Sequence, residues 1–114
     1  MEEKAKFKII YSSEAIDFLN TLEEKTKAKI MYNVNKSKYV IDKELFKKLG
    51  DSDIWEFRTL YNGNCYRLFS FWDTEAETLV IATHGIMKKT QKTPQKEIVK
   101  AEKIREQYFN SKNK

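Results

Sequence analysis

Glu56, Arg58, Arg67 and His84 have the types and the spacing for chemistry on a phosphodiester. Glu56 and Arg58 stand two residues apart in Trp55-Glu56-Phe57-Arg58. Side chains on a strand alternate faces with period two, so both point the same way. Asn62-Gly63 follows, the strongest short-range hairpin signal, and the return strand through Tyr66-Arg67 brings a second guanidinium alongside. Cleaving RNA without a metal has three requirements. The 2′-hydroxyl must lose its proton as it attacks the neighbouring phosphorus, the charge gathered on the phosphorane must be stabilised, and the leaving 5′-oxygen must gain a proton. A guanidinium stays charged and presents a planar fork of donors that matches phosphate oxygens, which suits Arg58 and Arg67 to the second task. His84 is the only histidine and titrates near neutrality when unperturbed, so it could act as acid or base. Glu56 could take a proton or simply orient Arg58. A positioned acid or base contributes ~10²–10⁴-fold in rate, and fixed cations aimed at the phosphate can add as much.

Plainer readings stand beside each of these. An exposed arginine commonly pairs with a strand carboxylate, at a gain of roughly 0–1 kcal/mol. A structural histidine is more common than a catalytic one. Lys88, Lys89 and Lys92 could follow RNA phosphates, with a salt dependence to match, or form a solvated basic loop. Trp55, Phe57, Phe69, Phe71 and Trp72 could stack on bases, but alternating aromatics on strands are far more often core; Tyr66 stays open between the two. Cys65, the single cysteine, lies in an apolar strand and reads as a buried, inert thiol.

The elements that must position these groups follow from periodicity. Lys6 to Tyr11 reads as a first strand. Ser12 or Ser13 then offers an N-cap, with Glu14 in the first turn and Ile16, Leu19 and Leu22 at helical spacing to about Glu24. Thr26, Ile30, Tyr32 and Val34 continue the pattern as a second helix packed antiparallel to the first. Leu45, Phe46 and Leu49 suggest a short helical turn that ends at Gly50. The period then becomes alternating: strands from Ile54 to Tyr61 and Cys65 to Trp72, a turn at Asp73 to Glu77, and a strand from Thr78 to Met87. Thr93-Pro94 marks the start of a last helix, with Thr93 at the N-cap and Pro94 at the first helical position. The order β-α-α-β-β-β-α predicts an α+β sandwich, a mainly antiparallel sheet with helices on one face and the other face open.

At 114 residues one domain is expected, covering 1–110 with a frayed tail at 111–114. The net charge of +5 favours a polyanion or an acidic partner without choosing between them. One cysteine and one histidine exclude a disulfide framework and a Cys/His zinc cluster, so no metal and no cofactor are expected. Met1-Glu2-Glu3-Lys4 carries no signal-peptide apolar stretch, and no apolar run approaches membrane-spanning length; a cytoplasmic protein without membrane contact is the expectation.

These residues, taken in order, resemble the RelE/HigB superfamily of type II toxin–antitoxin toxins, in its phage-derived HigB-like branch. The likeness is carried by Leu45-Phe46-Lys47-Lys48-Leu49-Gly50, Ile54 to Arg58, Tyr66-Arg67, Thr83-His84-Gly85-Ile86-Met87-Lys88-Lys89-Thr90, and Thr93-Pro94 through Glu97-Ile98 to Ala101. The resemblance implies the RelE-like fold and a ribosome-dependent mRNA endonuclease that inhibits translation. It implies as partners mRNA on the ribosome and a cognate helix-turn-helix antitoxin, in an assembly that could be of higher order. It implies catalytic roles for Arg67 first, then Arg58, His84 and Glu56, and RNA contacts at Lys47 and Lys48 as well as the Lys88–Lys92 stretch. Proton-transfer roles are not assigned by it. The alternative is a catalytically inactive module of the same fold that binds nucleic acid or an antitoxin.

Overall fold

A computed structural model describes residues 4–76, 79–89 and 92–112. The elements in chain order are β1 (Lys8–Tyr11), α1 (Ser13–Asn20), α2 (Glu24–Ser37), β2 (Phe46–Lys48), β3 (Trp55–Tyr61), β4 (Asn64–Asp73), a 3₁₀ turn (Thr74–Ala76), β5 (Leu79–Lys88) and α3 (Gln95–Lys112). The five strands form one sheet in the order β1-β5-β4-β3-β2, antiparallel throughout except for β1, which runs parallel to β5. The α+β class and the mainly antiparallel sheet are as the periodicity implies.

Ser12 starts α1: its Oγ accepts from the Ala15 N–H and donates to the Thr83 carbonyl, tying the helix start to β5. Asn62 and Gly63 both have positive φ, 50° and 77°, the geometry that a two-residue hairpin demands and that Asn-Gly supplies at low cost. The Leu45–Leu49 segment departs from the expected helical turn. Phe46–Lys48 instead pairs antiparallel with β3 as an edge strand, because Phe46 stacks on Phe57 (centroids 4.1 Å apart) and fills the core. Gly50 is a turn residue with φ 54° between β2 and β3.

Helices cover both faces, against the expectation of one. Phe7, Phe46, Phe57, Leu68 and Val80 pack with Ala15, Leu19, Ile30 and Val34 beneath α1 and α2. Ile54, Phe69, Phe71 and Ile81 pack on the opposite face around Ala101, with Ile98, Ile104 and Tyr108 of α3. The cause lies in β4, where Leu68-Phe69-Ser70-Phe71 is buried on both sides and so needs two layers of cover. The aromatics of β3 and β4 are accordingly core, as alternation suggests.

One bulge interrupts β4–β5: Phe69 pairs with His84 but Ser70 pairs with Ala82, leaving Thr83 as the extra residue. Parity changes there. Ile81 and then His84 share the α3 face, while Gly85 turns toward α1 and lies beneath Phe18. The C-terminus of α3 is anchored rather than frayed as far as Lys112: buried Asp73 accepts from the Tyr108 hydroxyl and from Lys112 Nζ, both at 2.7 Å. The last two residues, and parts of the expected Asp73–Glu77 turn and Lys88–Lys92 loop, lie outside the described residues.

Candidate active site

Alternation and register place Glu56, Arg58 and Arg67 together on the α3 face of the sheet. Arg58 is opposite Arg67 and Glu56 opposite Phe69 across β3–β4. Two guanidiniums facing each other need a counter-charge, and Glu56 supplies it to both. Its Oε1 lies 3.4 Å from Arg58 Nε and its Oε2 3.5 Å from Arg67 Nε. Thr93, just ahead of α3, donates its hydroxyl to the same Oε2 at 2.9 Å. This carboxylate is 1% exposed and Arg67 2%, whereas Arg58 reaches further into solvent. The expected cluster of one carboxylate and two arginines is therefore formed, and it is set below the surface.

His84 is not part of it. In register, Phe69 lies between Glu56 on β3 and His84 on β5, so the two are about 10 Å apart, two strand spacings. The imidazole stacks on Phe69 (centroids 4.8 Å apart), with Nε2 3.1 Å from Glu97 Oε1 on α3 and Nδ1 3.0 Å from Thr83 Oγ1. Burial pushes its pKa below the usual histidine value and the nearby Lys100 charge adds to this; Glu97, by hydrogen bond and charge, and Glu14 oppose it. The net direction favours neutral imidazole. Thr93 and Glu97 were missed as site partners by sequence reasoning, since nothing in their spacing says that the start of α3 lands on β3 and β5.

The lysines divide by strand parity. Lys47 pairs with Glu56 and shares its face, and it lines a groove of about 560 Å³ with Glu56, Lys92 and Thr93. Lys88, opposite Cys65, also shares that face, and its Nζ donates to the Lys92 carbonyl at 2.6 Å, closing the basic loop. Lys89 and Lys92 are exposed. Lys48 pairs with Trp55 and points to the other face, away from Glu56. Tyr66 is a correction: it is 6% exposed within the core beneath α1 and α2, so its ring has no face for a base. Cys65 is a buried free thiol.

Among the described residues, no group of His, Cys, Asp or Glu is arranged to hold a metal ion. No helix among them is long and apolar enough to cross a membrane. What remains is a buried carboxylate holding two guanidiniums beside two grooves, with basic side chains at their rim. Such an arrangement can bind a phosphodiester and stabilise added negative charge on it.

Comparison with known proteins gives a family and a fold. The family profile described as "Phage derived protein Gp49-like (DUF891)" matches residues 17–106, from α1 into α3. Among solved structures, a chain from the crystal structure of the toxin–antitoxin complex RelBE2 of Mycobacterium tuberculosis superposes with a TM-score of 0.57 at 17% identity, over 79% of this chain and 100% of that one. The superposition shows a shared fold. No curated protein is similar enough in sequence to match.

Proposed function

The chain belongs to the Gp49-like phage-derived family, and on that premise we propose that it is the toxin of a type II toxin–antitoxin pair: an endonuclease that cuts mRNA on the ribosome and is held inactive by a cognate antitoxin. The observation that carries this reading is Glu56 bridging Arg58 and Arg67 on a sheet of the RelE type. A toxin–antitoxin complex as the source of the similar structure supports a partner protein, and a helix-turn-helix antitoxin is the partner this reading takes.

In the proposed reaction the scissile phosphate enters over Arg58, the more exposed guanidinium, and Arg67 reaches it from below. As the 2′-oxygen attacks, two new hydrogen bonds draw the guanidiniums from Glu56 toward the phosphorane oxygens. The freed carboxylate accepts the 2′-hydroxyl proton. The P–O5′ bond then breaks, leaving a 2′,3′-cyclic phosphate and a 5′-hydroxyl. His84 is too far away to protonate that 5′-oxygen directly, so the proton comes from water or a group held by the ribosome, and here the ribosome requirement enters. Lys47, Lys88, Lys89 and Lys92 hold the backbone on either side.

The test is to add the protein to a translating extract and map mRNA 5′ ends, with Arg67→Ala as the comparison. New 5′ ends that vanish in the variant are expected. Intact mRNA and full translation with the wild type would sink the reading. A second reading, an inactive module of the same fold, is favoured by the depth of Glu56 and Arg67; it predicts antitoxin binding with no cleavage in that extract.

A further inference from the structure

Where β2 ends, the Arg58 N–H still bonds to the Leu45 carbonyl at 2.7 Å, but the edge of β3 beyond it has no neighbouring strand. A groove of about 490 Å³ runs round that open edge. Arg58 and Arg67 lie at its inner end, so it is continuous with the proposed phosphate site. One wall is α2, presenting Lys29, Tyr32 and Lys36 at positions i, i+3 and i+7, one face of the helix. The Asn33 amide fixes that wall by donating to Thr59 Oγ1 at 3.1 Å on β3. The opposite wall carries Asp42 and Glu44.

We infer that this groove is a subsite for a nucleotide of single-stranded RNA flanking the one that is cut; the inference rests on the endonuclease reading for its substrate. Three features select that occupant. Lys29 and Lys36 stand two helical turns apart, about 10 Å, along the α2 wall of the groove that the two arginines also line, a track for a backbone carrying repeated charge. Tyr32 is 60% exposed between them, and an exposed ring beside cations is the usual platform for an unpaired base. Its ring already accepts a cation, with Lys29 Nζ 5.3 Å from the centroid, so one face is held in place and the other is free to stack. Asp42 and Glu44 repel phosphate, confining the backbone to the α2 side, and can accept from base amino groups. A groove of this size suits one nucleotide rather than a duplex.

The experiment uses the full chain and a short fluorescent oligoribonucleotide, 2′-O-methylated throughout so that it cannot be cut, in anisotropy titrations at several salt concentrations. Lys29→Gln/Lys36→Gln is expected to weaken binding about ten-fold at low salt and to lessen the log–log salt slope by about 1.4, the loss of two phosphate contacts. Tyr32→Ala should weaken it at least about five-fold, and Tyr32→Phe should not. A thermal melt of each variant checks the fold, which these exposed positions leave intact. Crosslinking with a photoreactive base should label the α2 peptide that contains Tyr32. Unaltered binding by both altered proteins, crosslinks confined to other segments, or no binding of the oligomer by the wild type would each overturn the subsite. The translating extract separates the two readings. If the wild type leaves mRNA intact while the α2 substitutions still weaken binding, the nuclease fails and the subsite stands. If mRNA is cut and the α2 substitutions alter neither cutting nor binding, the reverse holds.

Discussion

Glu56 and Arg67 meet diagonally across β3 and β4: Oε2 lies 3.5 Å from Nε although the register partner of Glu56 is Phe69. The same carboxylate holds Arg58, so the two guanidiniums share one buried anion. Replacing Glu56 by Ala leaves two facing cations without it and should cost about 3 kcal/mol in urea unfolding. Glu56→Gln keeps an acceptor and should cost less than half of that. In single-turnover cleavage, however, the Gln variant should fall at least ~100-fold, because an amide takes no proton. A Gln variant that cuts like the wild type would reduce Glu56 to an orienting group.

Thr93 links the start of α3 to that anion through one hydrogen bond. Thr93→Val keeps the shape and removes the donor, at about 1 kcal/mol. The expected kinetic signature is a fall of about five-fold in kcat with KM unchanged, since Glu56 is misplaced while the lysine rim is intact. Measurement of the cleavage rate against mRNA concentration separates this from a loss of binding.

Acid should act on the fold through His84 before it acts on the carboxylates. Its folded pKa is depressed, by burial first, so the unfolded chain binds the proton more readily. Stability is therefore complete above the unfolded value of about 6.5 and declines as the pH falls from there toward the folded pKa. Urea melts between about pH 8 and pH 5 should show that decline, and His84→Gln should flatten it. A decline that persists unchanged in the variant would rule His84 out as its source.

Asp73 is the corresponding anchor at the far end of α3. Hydrogen bonds from Lys112 and then Tyr108 hold its carboxyl below the usual range, which places its contribution above the unfolded pKa and removes it only as pH falls through the folded one. Asp73→Asn should cost about 1.5–3 kcal/mol. Amide exchange should quicken in the last turns of α3 and not in α1, a contrast that hydrogen-exchange mass spectrometry resolves.

Gly85 is needed for closeness rather than for backbone freedom. A Cβ there would overlap Phe18 Cδ2 and lie 2.8 Å from its Cγ, so α1 would have to lift from the sheet. Gly85→Ala should destabilise by about 2–3 kcal/mol in urea melts, with Phe18→Leu in the same chain recovering part of it.

Much of this arrangement is legible in the sequence because it depends on short-range rules. Period two places Glu56 with Arg58, and Asn-Gly at 62–63 brings Arg67 alongside them. The illegible parts depend on contacts between distant segments. Phe46 reads as helical until Phe57 is found stacked on it. The parallel placement of β1 beside β5 and the landing of Thr93 and Glu97 on β3 and β5 have no local signal. His84 is the instructive case, since its residue type suggests chemistry while its register puts Phe69 between it and Glu56. The sign that both faces would be covered was present in Leu68-Phe69 and Phe71-Trp72 of β4, large apolar residues side by side and therefore on both faces, which a reading by alternation alone undervalues.

The extra residue at Thr83 works as a frame for everything after it on β5. In an uninterrupted strand, Gly85 and Met87 would share the face of Ile81, and His84, Ile86 and Lys88 would lie under α1. Straightening the strand with Thr83 kept in the ladder would therefore exchange the two sets, driving an imidazole and a lysine against Phe18 while withdrawing Lys88 from the basic rim. Deleting Thr83 itself would instead join Ala82 to His84 with every later face unchanged. The bulge thus absorbs one residue without moving His84 or Lys88, so relatives of this chain should either keep the extra residue as a bulge or lack it altogether, with the same side chains facing α3 in both cases.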